Sequence, residues 1–371
     1  MDETLSPIAE GMEERYREKD HLTLYKDEAV FVDDRTVEVD GEEVSAEKVV
    51  VAAGSRPLVP PIEGLDEVEY MTSQEALYRR EQPESLVILG GGYIAVELGY
   101  FFESLGTDVT IVEMMDTLVP REDPDISTAF TEIAEERHEV YTGHRATRVE
   151  ADGDGVTVHA ETEAGDTVAA HGDDLLVALG RRPNTDTLDV EAAGIETDDN
   201  GFIVTNDRLE TSAESVWAQG DIADNAMFKH SGDYETGVTI DNVVHGNASE
   251  ADFTAMPHAI FTEPQMAGVV APEDALVEEG TGYRVGREDL PGTPMGRAKK
   301  LDHGFVKVLA APDGEILGCH MLGYEASTML HEVVVAMRTG SGHVSDITDT
   351  IHAHPTLNKA VEYAFEDVTL Q

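Results

Sequence analysis

A short apolar run that leads into three consecutive glycines constrains the fold of this chain more than any other feature. Residues 86–89 are apolar, Gly90 begins the glycine triplet, and an amphipathic stretch starts at Tyr93. A strand, a glycine turn and a helix in this order predict a dinucleotide-binding α/β unit, because the amides at the helix N-terminus face the phosphates. The residues that we expect to line this site are Gly90, Gly91, Gly92, Tyr93, Ile94 and Ala95.

A carboxylate at the end of the next predicted strand indicates which dinucleotide is bound. Glu113 follows the apolar residues 109–112, about 20 residues beyond the glycines, where such a unit places its ribose-binding acidic residue. The carboxylate would accept hydrogen bonds from both ribose hydroxyls and repel a 2′-phosphate, and the next arginine is Arg121. This pattern favours NAD(H) over NADP(H). The alternative is a glycine turn in an α/β domain that binds no ligand.

The charge of the chain excludes several classes of partner. Its 371 residues, enough for two or three domains, include 76 acidic and 25 basic ones, so the formal net charge is −51. Nucleic acid and anionic membranes are therefore disfavoured as partners. A calcium-binding surface and a nucleic-acid-mimicking surface are the alternatives, but the fixed ladder of oxygen ligands that calcium loops need is missing from the sequence. We expect a solvated acidic surface of the halophilic kind, suited to a cytoplasm at multimolar salt.

Cysteine content and hydropathy exclude further kinds of site and protein. Cys319 is the single cysteine of the sequence, which rules out an intrachain disulfide and a thiolate metal cluster, and no metal site is expected. It lies in an alternating, strand-like stretch, where packing is the expected role. The sequence contains neither a signal-peptide pattern nor an apolar run near 18 residues, so we expect a cytoplasmic protein.

Three other predicted strands also end in sharp turns, which indicates ligand crevices at their carboxyl ends. The strand at 48–52 runs into Gly54, the strand at 175–179 into Gly180, and the strand at 215–218 into Gly220 and Asp221. Before them the pattern predicts a polar helix over 3–20, short strands at 21–25, 29–32 and 36–39, and a hairpin turn at 40–41. From residue 255 onward the pattern is that of an α+β domain.

These motifs together resemble those of the FAD-dependent pyridine nucleotide-disulfide oxidoreductases, which include dihydrolipoamide dehydrogenase, glutathione reductase, mercuric reductase and mycothione reductase. The motifs are, in order, residues 53–57 (AGSRP), 90–97 (GGGYIAVE), 180–184 (GRRPN), 220–221 (GD) and 354–356 (HPT). The resemblance implies an α/β fold in which a Rossmann-like NAD domain is inserted in a remnant of an FAD domain and an α+β dimerisation domain follows. The implied bounds are 1–83 for the FAD-domain remnant, 84–183 for the NAD(H) domain, 184–254 for the resumed FAD domain and 255–371 for the dimerisation domain.

The resemblance also implies roles for individual residues. Asp221 would bind a ribityl hydroxyl of FAD, and Tyr93 would be a lid that moves aside when the nicotinamide enters beside Gly180. Ala53, Gly54, Ser55 and Gly220 would lie beside the flavin. His354 would be the acid/base that exchanges a proton with the substrate thiol, since an imidazole titrates near neutrality. His352 is expected to be structural.

Four departures from the family pattern accompany the resemblance. The first glycine-rich unit of the FAD domain and the Cys-x₄-Cys redox pair are expected to belong to a segment before Met1, which would make the chain N-terminally truncated. Glu97 would then lack its usual lysine partner, and we expect it to be unpaired in this chain. Lys359 stands where the pattern has the glutamate that partners the histidine, and Glu362 is the candidate replacement, one helical turn further on. Val270 replaces a glycine, so a local change of backbone is expected there.

The sequence is compatible with two functions. The first is a homodimeric, FAD- and NADH-dependent disulfide oxidoreductase, in which a hydride passes from NADH to FAD and on to a disulfide. Residues 227–230 and 326–330 favour a mycothione-like disulfide, whereas Glu113 suits the NAD preference of a dihydrolipoamide dehydrogenase. The second is an NAD-binding and dimerisation module without redox turnover. For these residues alone we expect weak or no FAD binding and no disulfide reductase activity.

Overall fold

The computed structural model describes residues 2–153 and 155–369. The helices are, in chain order, α1 Asp2–Arg17, α2 Ser73–Tyr78, α3 Tyr93–Ser104, α4 Pro124–Glu135, α5 Thr185–Leu188, α6 Lys229–Val243, α7 Glu273–Glu279, α8 Pro294–Lys299, α9 Ala326–Thr339, α10 Ser345–Thr348 and α11 Asn358–Thr369. The strands are β1 Ala29–Asp33, β2 Thr36–Val39, β3 Glu42–Ser45, β4 Val49–Val51, β5 Ser55–Pro57, β6 Ser85–Leu89, β7 Asp108–Val112, β8 Glu139–Tyr141, β9 Arg145–Asp152, β10 Gly155–Glu161, β11 Thr167–Gly172, β12 Asp174–Val177, β13 Arg181–Pro183, β14 Val216–Ala218, β15 Pro257–Ile260, β16 Gln265–Val270, β17 Arg284–Asp289, β18 Phe305–Ala310 and β19 Ile316–Gly323.

The chain forms two compact units. Unit 1 contains the residues up to Arg56 together with Arg182–Ala251, and unit 2 contains Pro57–Arg181 together with the residues from Asp252 onward. In the described part of the chain, no helix is long and apolar enough to cross a membrane.

Unit 1 combines a small antiparallel sheet with a parallel strand pair. Strands β1, β2 and β3 form a meander whose β2–β3 turn has Asp40 and Gly41 at positive φ, which confirms the predicted hairpin. Strand β14 pairs with β4 in parallel, from Val216 beside Val49 to Ala218 beside Val51. A core that includes Phe31, Val51 and Ala218 packs around these strands. The two parallel strands end side by side, so the turns that follow them are neighbours.

The first half of unit 2 is built around a four-stranded parallel sheet in the order β12-β6-β7-β8. All four residues 86–89 are buried, as expected for a parallel strand covered on both faces. Helix α3 follows β6 after the glycine triplet, and β7 ends next to Glu113, so the predicted strand, turn, helix and strand are confirmed. A three-stranded antiparallel sheet, β11-β10-β9, flanks this sheet.

The second half of unit 2 is a five-stranded antiparallel sheet in the order β15-β16-β19-β18-β17. Side chains alternate between its faces. On one face Ala267, Val308 and Met321 join a core that includes residues of α9 and α11. On the other face Met266, Phe305 and Leu322 join the core that contains α3 and α4 residues. The sheet is therefore buried on both sides, although it is antiparallel.

One local prediction was wrong. Residues 21–25 form no strand, and they are exposed throughout, so their alternating pattern has no core to face. Val270, where a local change of backbone is predicted, has φ +66° and pairs with Gly318 across β16 and β19. The left-handed conformation that a glycine adopts readily is thus imposed on a valine.

Candidate functional site

The glycine triplet of unit 2 has the geometry of a phosphate-binding turn. Gly90 has φ +107°, and a Cβ there would lie 2.4 Å from the Ala178 carbonyl oxygen. A Cβ at Gly91 would lie 2.7 Å from Leu118 Cδ2, whereas nothing lies within 4 Å of a Cβ at Gly92. The first two glycines are therefore required by packing, and Gly92 leaves open space at the N-terminus of α3. This cradle fits the pyrophosphate of a dinucleotide.

Glu113 lies directly at this turn. One carboxylate oxygen accepts the Gly91 backbone N–H, and the other accepts the Met115 N–H at 2.8 Å. The residue is only 7% exposed, so its position is set by these bonds rather than by solvent. The structure thus brings Glu113 together with Gly90, Gly91 and Gly92, and Ile94 and Ala95 follow in the first turn of α3. A carboxylate and amides in this arrangement suit a ribose beside a pyrophosphate.

Tyr93 is bound to two residues that the sequence analysis missed. Its hydroxyl donates to Glu122 Oε1 at 2.8 Å, and its ring stacks on His258 with centroids 6.4 Å apart. His258 Nε2 donates to Glu122 Oε2 at 2.9 Å. Burial by itself raises the pKa of Glu122, but the hydrogen bonds from His258 and Tyr93 lower it below its ordinary value. Burial and Glu122 raise the pKa of Tyr93 well above its ordinary value, so its hydroxyl is protonated near neutrality.

His258 belongs to a row of polar residues that crosses the five-stranded sheet. Strand register places His258 beside Gly268, Gly268 beside His320, and His320 beside Lys307. A Cβ at Gly268 would lie 2.5 Å from His258 Cε1 and 2.9 Å from His320 Nδ1. Glycine therefore makes room for two imidazoles on adjacent strands. His320 is buried, and burial lowers its pKa, so it is neutral near pH 7.

Lys307 completes the row with a buried ion-pair cluster. Its Nζ lies 2.8 Å from Asp123, 2.9 Å from Asp125 and 2.6 Å from Glu273, and the side chains of Lys307 and Asp123 are fully buried. Burial alone lowers the pKa of Lys307, but its three carboxylate partners raise it to about 12. Glu122 and Asp123 thus join the residues before α4 to the C-terminal sheet within unit 2. No sequence pattern predicts this ion-pair cluster, since Lys307 and its carboxylate partners are far apart in the chain.

The predicted flavin-side residues lie together in unit 1. Ser55 Oγ donates to Asp221 Oδ2 at 2.7 Å, and the Asn184 side-chain amide donates to the Ala53 carbonyl at 2.7 Å. Gly54 and Gly220 have φ +66° and +72°, and nothing lies within 4 Å of a Cβ built on either. Two strand ends therefore present a carboxylate, a hydroxyl and open backbone, which fits a ligand rich in hydroxyls.

Gly180 lies in unit 2, in the turn after β12. It has φ +114°, its carbonyl accepts the Leu58 N–H at 2.9 Å, and a Cβ there would meet no atom within 4 Å. This turn leaves the parallel sheet on the same strand-end side as Gly90, since β12 and β6 are parallel neighbours. The crevice at these strand ends is where α/β sheets bind ligands.

The C-terminal residues are arranged differently from the expectation. Glu362 forms an ion pair with Lys359, and its carboxylate lies 3.8 Å from His352 Nδ1. Among the described residues, no hydrogen bond or ion pair joins Glu362 to His354, so the pairing that we expected is wrong for this structure. The reason is that α11 turns Glu362 towards His352, which also binds Glu332 at 3.0 Å. His354 itself is exposed, and His352 is bound as a structural residue would be.

Glu97 was expected to lack a partner, and this expectation is wrong. Its Oε1 accepts the backbone N–H of Phe261 at 2.7 Å, and burial raises its pKa above the ordinary value.

Cys319 is fully buried, which raises the pKa of its thiol and makes thiolate chemistry unfavourable. Among residues 2–153 and 155–369, no group of three His, Cys, Asp or Glu side chains is arranged to hold a metal ion.

Known proteins are similar to this chain over most of its length. The chain is 36% identical over 358 residues to dihydrolipoyl dehydrogenase of Haloferax volcanii, covering 93% of this chain and 74% of that protein. It is 32% identical over 343 residues to mercuric reductase of Staphylococcus aureus, covering 92% of this chain and 62% of that protein. The HOCl-induced flavoprotein disulfide reductase RclA from Escherichia coli superposes with a TM-score of 0.88 at 26% identity, covering 100% of this chain and 84% of that one.

Two family models divide the chain between them. Pyridine nucleotide-disulphide oxidoreductase matches residues 3–244, and the dimerisation domain of the same group matches residues 256–365. The matched sequence includes the glycine turns, Glu113 and Asp221 in the first part and His354 in the second. The chain therefore belongs to the pyridine nucleotide-disulphide oxidoreductase family.

Proposed function

We propose that this chain carries the NAD(H)- and flavin-binding residues of a disulfide oxidoreductase of the dihydrolipoyl dehydrogenase type. The observation that carries the proposal is Glu113, which is held at the open glycine turn of unit 2 by the Gly91 and Met115 amides. A carboxylate in this place binds ribose hydroxyls and disfavours a 2′-phosphate, so the preferred nicotinamide nucleotide is NADH. The relatives named dihydrolipoyl dehydrogenase support the reaction class.

Each group of residues has a distinct task in this proposal. Asp221 and Ser55 bind polyol hydroxyls of FAD, beside the open backbone of Gly54 and Gly220. Tyr93 covers the nicotinamide side, where its position depends on Glu122. His354, exposed before α11, exchanges a proton with a thiol of the substrate. The bound nicotinamide and flavin supply the hydride chemistry, which no protein side chain provides.

The substrate that we propose is a small dithiol or disulfide, either dihydrolipoamide, which is a dithiol, or a low-molecular-weight thiol disulfide of the mycothione type. The proposed assembly is a homodimer, which the match of residues 256–365 to a dimerisation domain supports. The domain bounds 1–83, 84–183, 184–254 and 255–371 remain part of this proposal.

A second function is favoured by the cysteine content of the chain. Cys319 is the single cysteine in the sequence, so these 371 residues cannot form an intrachain redox disulfide. An NAD-binding and dimerisation module without redox turnover needs only the glycine turn, Glu113 and the C-terminal sheet.

The visible absorption spectrum in multimolar KCl separates the two functions. The purified chain is mixed with FAD, freed of excess by gel filtration, and measured before and after addition of NADH. Flavin bands that bleach on addition of NADH support the oxidoreductase. Binding of NADH, measured by calorimetry, without retained flavin supports the module, and the absence of NADH binding contradicts both.

A further inference from the structure

A buried carboxylate in unit 1 holds the turn that carries Asp221. Glu235 on α6 is 0% exposed, and its Oε2 accepts the backbone N–H of Gly220 at 2.5 Å. Its other oxygen accepts the Ser231 hydroxyl at 3.0 Å, and Ser231 is also fully buried. A carboxylate is costly to bury, and here one of its two bonds is made to Gly220, the first residue of the 3-10 turn Gly220–Ile222.

The same face of α6 makes a second contact to this turn. Thr236 lies one residue beyond Glu235 on the helix, and its hydroxyl accepts the Gln219 side-chain amide at 2.8 Å while donating to the Gly232 carbonyl. A Cβ at Gly232 would lie 3.9 Å from Gly220 Cα, so the helix passes directly beside the turn. Helix α6 therefore contacts both Gln219 and Gly220.

The opposite side of the turn is attached to the strand pair and to Ser55. The Gln219 N–H donates to the Val51 carbonyl at 3.0 Å, and Asp221 accepts the Ser55 hydroxyl at 2.7 Å. Gly220 has φ +72°, a conformation from which a glycine departs easily unless its N–H is bound. Without Glu235 this N–H would be left unsatisfied inside unit 1.

We propose that Glu235 is a positioning residue that fixes Gly220 and thereby aims the Asp221 carboxylate, with Ser55, at a polyol hydroxyl of the ligand. The identity of that ligand as FAD rests on the proposed function. The role of Glu235 in holding the turn does not depend on the proposed function. The identity of the ligand and the role of Glu235 can therefore be tested separately. Glu235 reaches the ligand only through the backbone of Gly220.

One amide signal reports on this contact directly. The dipeptide Gln-Gly occurs once in the sequence, at Gln219-Gly220, so labelling with carbonyl-¹³C glutamine and ¹⁵N glycine selects the Gly220 amide in an HNCO spectrum. We expect a downfield amide proton in the parent chain, because its acceptor is a carboxylate. Glu235→Gln keeps an acceptor and should move the signal part of the way upfield, and Glu235→Ala should move it further. Asp233→Asn, an exposed position on the same helix, is the matched control and should leave the signal in place.

A titration with FAD supplies the second measurement. Loss of a hydrogen bond to a charged group corresponds to roughly 10- to 100-fold in a binding constant, so Glu235→Ala should raise the Kd for FAD about tenfold or more. Glu235→Gln should restore most of the affinity, and Asp233→Asn should match the parent chain.

The outcomes decide the proposal in each case. An unmoved Gly220 signal in Glu235→Gln overturns it, even where Glu235→Ala fails to fold. A moved signal with an unchanged Kd for FAD also overturns it, because Glu235 would then be merely structural. If the parent chain binds no FAD, the proposed function fails, and the Gly220 signal alone decides whether Glu235 holds the turn.

Discussion

At the scale of single residues, Glu113 offers the sharpest test of nucleotide preference. Replacing Glu113 with alanine removes the carboxylate at the glycine turn, and we expect the Kd for NADH to rise about tenfold, the loss typical of a hydrogen bond to a charged group. The Kd for NADPH should stay the same or fall, because the repulsion of the 2′-phosphate is also removed. Isothermal titration of both nucleotides measures the ratio. Glu135→Ala, an exposed position on α4, is the control, and an unchanged Kd for NADH would refute the ribose role.

Val270 is a second position where a single residue affects stability, through its backbone conformation. Its φ of +66° is unfavourable for a β-branched side chain, which is 37% exposed and therefore gains little from packing. We expect Val270→Gly to stabilise the fold by about 1 kcal/mol, the lower end of the cost of such a conformation. Urea unfolding in multimolar KCl measures the change.

The matched control for Val270 is another exposed valine. Val277 is 61% exposed within α7, where glycine is a poor helix former, so Val277→Gly should destabilise the fold. Opposite signs for the two substitutions are the expected result. Equal destabilisation would show that Val270 is not strained.

At the scale of elements, the sheet of unit 2 depends on a glycine between two histidines. Gly268→Ala would place a Cβ 2.5 Å from His258 Cε1, so the His258 imidazole, which binds Glu122, must shift. We expect a destabilisation of about 2 kcal/mol, within the range for overpacking a buried site. Thermal unfolding measures it, with Gly282→Ala as the control because its nearest neighbour is 3.9 Å away. Two equal unfolding midpoints would contradict the steric argument.

The buried ion-pair cluster makes a second prediction at this scale. Lys307→Met removes the cation between β18, α4 and α7 and leaves Asp123 as a buried charge without its ammonium partner. We expect a loss of about 3 kcal/mol, as for breaking a buried pair on one side. Lys229→Met removes a lysine from an exposed pair with Asp233 and should cost less than about 1 kcal/mol. Denaturant unfolding of both variants gives the comparison, and similar losses would show that burial of the cluster contributes nothing.

At the scale of the whole molecule, charge repulsion is the dominant sequence-wide effect. The chain has a net charge of −51, so its acidic side chains repel one another. Salt limits the range of this repulsion to about 10 Å at 0.1 M and about 3 Å at 1 M. We expect the thermal unfolding midpoint to rise steadily as KCl is raised from 0.1 M to multimolar concentrations. The haloarchaeal relatives are consistent with this expectation. An uncharged osmolyte at equal osmolality is the control, and a midpoint that does not depend on KCl would contradict it.

Pattern and structure agree best where the physics is local. The strand, glycine turn and helix from Ser85 to Ser104 follow from an apolar run, from the backbone freedom of Gly90 and from helical periodicity. The prediction of a strand at 21–25 was wrong, because an alternating pattern forms a strand only when a partner strand and a core are present. The prediction that Glu97 is unpaired was wrong for a related reason. Its partner is the backbone amide of Phe261, which lies 164 residues further along the chain.

The sequence by itself determined the α/β class, the glycine turn with Glu113, the strand ends at Gly54, Gly180 and Gly220, and the acidic composition of the chain. These depend on residue type and on neighbours along the chain. Only the tertiary structure decided which charges are buried together. Glu122 and His258 are 136 positions apart, and Asp123 and Lys307 are 184 positions apart. Strand register and helix packing bring such groups within 3 Å of each other, and the low dielectric of the interior then makes each partner indispensable.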